Sequence, residues 1–298
     1  MQALPFPLVV AMLLIAAGPA LHASQVSDAI AAGNAAWASN DLDSAIASFS
    51  EAIRLDPSDP ATYYYRGRVY VQKGDATRAI GDFDTSIRYN PKSADAFLGR
   101  GVAYGLAENC QQAIADFNEA IRLGARDAYA FWVRGAAYAQ MGDHAHALAD
   151  LNHAIELDPG FDHAFISRSI IYEVTGDYQR ATDDAQFAVH LTTNSNTDFA
   201  ALNQLAWILA TSPIKDFRNG SKAVDLATKA CERTQWKRAA EIDTLAAAYA
   251  ETGNFPEAIR WEKRCLELLP SGKKAKECND RLNLYQAKKP YREQPKSM

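Results

Sequence analysis

The chain has 298 residues, 48% of them hydrophobic and 22% charged, with a formal net charge of −5. That is the composition of an ordinary soluble globular chain, and its acidic balance argues against nucleic acid, which wants a basic face. The first element is an apolar run from Leu8 to Ala17, followed by "GPALHAS". It predicts an export signal over residues 1–23, with cleavage after Ala23. The run is shorter than the ~20 residues needed to span a bilayer. No Lys or Arg precedes it, unlike the usual signal, so an uncleaved anchor is the alternative. No cysteine follows the run, which disfavours a lipoprotein.

Beyond the signal the chain repeats. Gly33, Gly67, Gly101 and Gly135 recur every 34 residues, with Ser169 in fifth place. Twelve residues later come Ala45, Ala79, Ala113, Ala147 and Ala181, and four beyond those Phe49, Phe83, Phe117, Leu151 and Ala185. Pro57, Pro91 and Pro159 close units, and "KGD", "MGD" and "TGD" mark turns inside them. This pattern predicts two amphipathic helices per unit. Small residues let the backbones approach, and proline stops the second helix. One such pair cannot bury its apolar face alone, so neighbours must stack.

A 34-residue unit with these small, aromatic and proline positions resembles the tetratricopeptide repeat. Five regular units are expected within residues 24–195, at 26–59, 60–93, 94–127, 128–161 and 162–195. Two divergent units occupy 196–272, and a capping helix with a basic, solvated tail occupies 273–298. The resemblance implies an all-α, right-handed superhelical solenoid of antiparallel helix pairs, about seven in number. It also implies that the first helix of each unit lines a concave face that binds an extended or helical peptide.

Arg66, Arg100, Arg134 and Arg168 are spaced by 34 residues, and an aspartate stands sixteen residues after each: Asp82, Asp116, Asp150 and Asp184. Units without the arginine lack the aspartate too; the sixth carries Leu205 and Leu226 there. Joint presence and loss predicts an ion pair linking the two helices of a unit, rather than a ladder of cations for an anionic ligand.

The positions that should face the groove are mostly apolar. The residues expected to bind a partner are Tyr64, Arg68, Leu98, Val102, Trp132, Ile166, Ile170 and Trp207, flanked by Ile30, Trp37 and Val71. A second apolar stripe with large aromatics wants a cover, which a partner helix or peptide would supply. Packing between units is the competing explanation. Repeats that clamp a C-terminal carboxylate use Lys and Asn at the inward places; Ile30, Tyr64 and Leu98 take the lysine place here, which argues against that variant.

No phosphate loop, G-x-S-x-G or H-E-x-x-H motif is present, so catalysis is not expected and no cofactor or metal is called for. His144, His146, Asp150 and His153 cluster on one predicted helix, and their solvated face makes poor metal ligands. Of the four cysteines, Cys265 and Cys278 fall on helices that should pack together, and they are the candidate disulfide; buried free thiols are the alternative. The expected function is a non-enzymatic scaffold outside the cytoplasm, periplasmic or secreted, holding a protein or peptide partner in its groove. The alternative is a structural subunit of an envelope assembly that uses its convex face or terminal units. Partner identity and oligomeric state are not legible.

Overall fold

The structure, a computed structural model, describes residues 6–192, 198–269 and 271–294, with side chains from residue 22 onward. Among the described residues there are fifteen α-helices, one 3₁₀ turn and no strand. The chain forms two compact units, Met1–Gly142 and Asp143–Met298. The first holds α1 (Phe6–Ala38), α2 (Leu42–Leu55), α3 (Pro60–Lys73), α4 (Ala76–Tyr89), α5 (Ala94–Leu106), α6 (Cys110–Leu123) and α7 (Ala128–Gln140). The second holds α8 (His144–Leu157), α9 (Asp162–Val174), α10 (Tyr178–Leu191), α11 (Phe199–Thr211), α12 (Gly220–Arg233), α13 (Ala239–Glu251), α14 (Phe255–Leu268) and α15 (Lys273–Gln286). Within each unit, helices pack against their neighbours in sequence, and α3 also meets α5 as α9 meets α11.

Local chemistry sets these boundaries. In the second helix pair, Asp59 caps α3 by accepting from the amides of Ala61 and Thr62, with Pro60 in the first turn, where a missing N–H costs nothing. Gly74 then adopts a left-handed φ of 80°, which a side chain would resist. The turn closes through Gly74 N–H to Val71 O and Asp75 N–H to Tyr70 O. Asp75 caps α4 in turn, its carboxylate accepting from Arg78 N–H at 3.0 Å. Asn90 ends that helix, and Pro91 prevents its continuation.

The glycine–phenylalanine correspondence in the sequence is a packing contact. A Cβ at Gly67 would lie 3.0 Å from the Phe83 ring, and one at Gly101 only 2.5 Å from the Phe117 ring. Each glycine on a first helix therefore admits the ring of the second helix against its backbone. In α9 and α10 the sizes differ: Ser169 faces a helix with Ala185, and its hydroxyl donates to Ala181 O at 2.7 Å.

The backbone of α1 runs unbroken from Phe6 to Ala38, so most of the expected signal and the first repeat helix form one helix. Residues 1–5 of that signal lie outside the described residues. Among the described residues no helix is long and apolar enough to cross a membrane. The loop before α12 contains the 3₁₀ turn Lys215–Phe217 and is anchored by Arg218, which pairs with Glu251 at 3.0 Å and donates to Ser212 O.

Candidate functional site

The first helices of the N-terminal unit build a cleft. It has a volume of about 350 Å³, within the ~300–1,000 Å³ range of ligand clefts. Trp37 comes from the end of α1, Tyr64, Arg68, Val71 and Gln72 from α3, Asp95, Leu98, Gly99 and Val102 from α5, and Tyr129 from the start of α7. Helical spacing brings Tyr64, Arg68 and Val71 onto one face of α3, and Leu98 and Val102 onto one face of α5. Leu98 and Val102 are only partly buried, and behind them lies the small core of Ala113, Phe117 and Ala137. This core explains why the apolar residues in front of it stay accessible: the small residues and rings already fill the contact between helices.

Arg68 sits among the aromatics. Its guanidinium carbon lies 4.6 Å from the Trp37 ring centre and 5.7 Å from that of Tyr64. A guanidinium stacked face-on keeps its N–H edge for a carboxylate. Trp37 is fixed by its indole N–H, which donates to Gln72 Oε1 at 2.7 Å, and the Gln72 amide donates to Asn40 at 2.8 Å. Burial pushes the Tyr64 hydroxyl above its ordinary pKa, so it stays a neutral donor and acceptor.

Of the expected partner-binding residues, Tyr64, Arg68, Leu98 and Val102 line this cleft together. Trp132 stands beside it, its ring 5.6 Å from that of Tyr129. Sequence reasoning missed Tyr129 and Asp95, which lie one turn before Trp132 and Leu98; extending the inward stripe by three residues would have found both. The remaining expected residues belong to the other unit. Ile166 packs partly buried against Phe165, Ala188 and Ala201, while Ile170 is exposed. Trp207 is covered by the chain's own C-terminal segment: Tyr291 lies 5.8 Å from its ring and the Arg281 guanidinium 5.6 Å.

That segment corrects the expectation of a solvated basic tail. Arg281 is 8% exposed and binds both oxygens of Asp243 at 2.7 and 2.8 Å. Arg292 pairs with Glu251 at 2.5 Å and donates to Ala210 O, and Glu293 N–H donates to Thr211 O. The basic residues of this stretch therefore divide: Arg281 and Arg292 hold helices together, while the lysines of α15 remain outside that network. The pattern of charge alone did not reveal the division, because the acids that pair with them stand some forty residues upstream.

The arginine ladder is structural wherever it lies within one unit. Arg66, Arg100 and Arg168 each bind both oxygens of Asp82, Asp116 and Asp184 at 2.7–2.8 Å. The aspartates are buried and the guanidinium planes are flanked by rings three residues before and four after: Phe97 and Tyr104 for Arg100, Phe165 and Tyr172 for Arg168. A further contact was not foreseen. Each arginine also reaches sixteen residues back, to Ser50, Asp84, Asn118 and Asn152, at 2.6–2.9 Å. In Arg66, Arg100 and Arg168 one guanidinium thus joins three helices: its own, its partner in the pair, and the second helix of the pair before. The varied chemistry of those four upstream residues hid the contact. Arg134 and Asp150 fall in different compact units.

In the histidine cluster, His146 Nδ1 lies 2.7 Å from Asp143 and His153 Nδ1 3.3 Å from Glu156, both exposed. The candidate cysteines come together instead. Cys265 Sγ and Cys278 Sγ are 3.1 Å apart, both buried and both free thiols.

Tetratricopeptide repeat family models match residues 30–88, 66–105 and 128–161. Curated protein sequences give no match. Among solved structures, a MamA protein is 25% identical, with a TM-score of 0.50, covering 57% of this chain and 93% of its own. A tetratricopeptide repeat protein from Parabacteroides merdae is 15% identical, with a TM-score of 0.62, covering 88% of this chain and 99% of its own. Yeast Tom70 is 17% identical with a TM-score of 0.59, covering 82% of this chain and 50% of its own. The last two are likenesses of fold. The repeats suggest a protein-interaction scaffold with protein partners, and such proteins are in general not catalysts. Helix pairs of fixed length, the recurring glycine-on-ring contact and the matched repeat models show that this chain carries tetratricopeptide repeats.

Proposed function

We propose that the chain is a scaffold that holds a peptide or helix of a partner protein on the first-helix face of its N-terminal unit. The observation that carries this reading is the cleft in which Tyr64, Leu98 and Val102 surround an apolar space and Arg68 stands at its side, stacked on Trp37. The matching ligand is an aliphatic or aromatic side chain with a carboxylate nearby on the same peptide. Burying the apolar lining would supply affinity, and the guanidinium edge would supply register. Ile166 and Ile170 would offer further apolar contact within the second unit. The site of action is outside the cytoplasm, in the periplasm or beyond; the support for this is the apolar run Leu8–Ala17 ahead of "GPALHAS".

The test is capture from a cell-envelope extract with residues 24–298 as bait, beside the same bait carrying Leu98→Glu. Circular dichroism establishes that both are folded. A protein retained by the first and lost by the second, whose binding peptide carries the apolar–acidic pair, supports the cleft. Equal retention by both would move binding to other faces, as a structural role in a larger assembly requires. Amino-terminal sequencing of the mature protein from fractionated cells checks the location; a chain that still begins at Met1 in the cytoplasm would refute it.

A further inference from the structure

The C-terminal end contains a group of reactive side chains that the proposed function does not use. Cys265 lies on α14 and Cys278 on α15, and only four residues separate these helices. Their sulfurs are 3.1 Å apart. Glu262, fully buried, and the Asp243–Arg281 pair surround them. The Arg281 guanidinium reaches within 3.5 Å of Cys278 Sγ. Both cysteines line a pocket of about 380 Å³, whose lining also includes the exposed Lys274 and Glu277.

Two thiols and a carboxylate in one place raise two chemistries, a metal ion and a disulfide. The donor set separates them. Two sulfurs and one carboxylate are fewer than the four ligands of a structural zinc site. The two sulfurs already touch, and a disulfide, at ~2.05 Å, requires only that they close that gap. The nearby guanidinium opposes a second cation, and it favours a thiolate. We propose that Cys265 and Cys278 are a reversible modification site, a dithiol that becomes a disulfide and covalently ties α15 to α14.

The environment divides the two sulfurs into different roles. The hydrogen bond between the two sulfurs, aided by Arg281, lowers the Cys278 thiol, and that bond and burial raise the Cys265 thiol. With the Arg281 guanidinium 3.5 Å from its sulfur, Cys278 is the attacking group. Its thiolate attacks one sulfur of a small disulfide such as oxidised glutathione; that S–S bond breaks and one thiolate leaves with the electron pair. Cys265 then loses its proton to water, and its sulfur attacks Cys278 Sγ and expels the second thiolate. Two protein thiols are oxidised, one external disulfide is reduced to two thiols, and the balance closes. The consequence is mechanical. α15 carries Arg281 and the buried Tyr285, so the bond secures this helix to α14 and with it the contacts both residues make.

The test uses full-length protein treated with oxidised glutathione, read by intact mass and by peptide mapping without reduction. The expected result is loss of two hydrogens, a linked peptide joining Cys265 to Cys278, and reversal by dithiothreitol. The oxidised form should also melt at a higher temperature than the reduced form. Cys110→Ser with Cys231→Ser should leave the linkage intact, which assigns it to the other two cysteines without substituting either. Alkylation of all four thiols after oxidation, a glutathione adduct retained on either cysteine, or stoichiometric zinc that protects the two thiols would each overturn the proposal.

Discussion

Replacing Arg100 alone should destabilise the chain, and replacing it together with Asp116 should restore most of the loss. Arg100 gives two hydrogen bonds of 2.7 Å to Asp116 and one of 2.6 Å to Asp84. The side chains of Arg100 and Asp116 are 19% and 9% exposed, so the pair is mostly out of water. Arg100→Leu strands the Asp116 carboxylate in that setting. Breaking a fully buried pair costs about 3–5 kcal/mol, and partial access of water to the arginine lowers this to about 2–3 kcal/mol. Asp84 is half exposed, and its lost contact adds less than about 1 kcal/mol. Arg100→Leu with Asp116→Leu removes both charges and leaves an apolar pair of the kind the chain already uses. Leu205 and Leu226 occupy the same places in α11 and α12, and both are buried. Replacing a buried ion pair by apolar residues is often neutral or stabilising, so the double variant should lie within about 1 kcal/mol of the native protein. Urea unfolding followed by circular dichroism measures both, with midpoints compared directly because stacked repeats need not unfold in one step. A double variant as unstable as the single one would refute the reasoning: the guanidinium would then act through its bridge to the neighbouring pair and its ring contacts.

Three further outcomes follow from the same contacts. Gly101→Ala places a Cβ 2.5 Å from the Phe117 ring, and overpacking should cost about 1–3 kcal/mol, of which better helix propensity returns up to about 1; adding Phe117→Leu should restore the melting temperature. Glu173 is 4% exposed, and burial raises its pKa from the ordinary 4.5 to about 8. The neutral acid is thus favoured in the folded state, so its contribution is fully present below 4.5 and is lost as pH rises towards and through 8. Glu173→Gln should flatten that decline in a pH series of melting temperatures, and an unchanged slope would assign it to other groups. Arg292→Ala breaks the 2.5 Å pair with Glu251 and loosens the segment that covers Trp207; iodide should then quench tryptophan emission more strongly, while the first-unit cleft keeps its binding.

The fold was legible because the repeat states the same local rule many times. Gly67 with Phe83, the turn at Gly74 and the stop at Pro91 are each weak signals alone, and recurrence at fixed spacing makes them decisive. The ladder was legible from the joint appearance of arginine and aspartate. Its backward bonds were not, since Ser50, Asp84, Asn118 and Asn152 share little beyond a polar atom at the right place. Part of the cleft was legible from helical spacing, and Tyr129 was missed because the inward stripe was started one turn late. Of the C-terminal cluster, Cys265 and Cys278 were legible as neighbours, and the charged residues around them were not. Asp243 and Arg281 stand on helices that meet only after the regular spacing has lapsed, and no neighbouring repeat carries a second copy to compare.

The two units leave different surfaces for a partner, for one physical reason. In the first, the arginines anchor the backs of the helix pairs, and the first-helix face is left to Trp37, Tyr64, Arg68, Leu98 and Val102, which have water for a neighbour. In the second, the Arg168–Asp184 pair still does this in α9 and α10, and beyond it that duty passes to the leucines at 205, 226 and 245, which form part of a larger apolar core. There the polar side chains serve the chain's own end instead, since Arg281 and Arg292 hold the terminal segment against Trp207, Asp243 and Glu251. A face covered by the chain's own tail can accept a partner only after the cost of displacing that tail is met, whereas the first-unit cleft is open among the described residues. A substitution at Leu98 should therefore weaken partner binding directly, and one at Trp207 should act first on the attachment of the terminal segment.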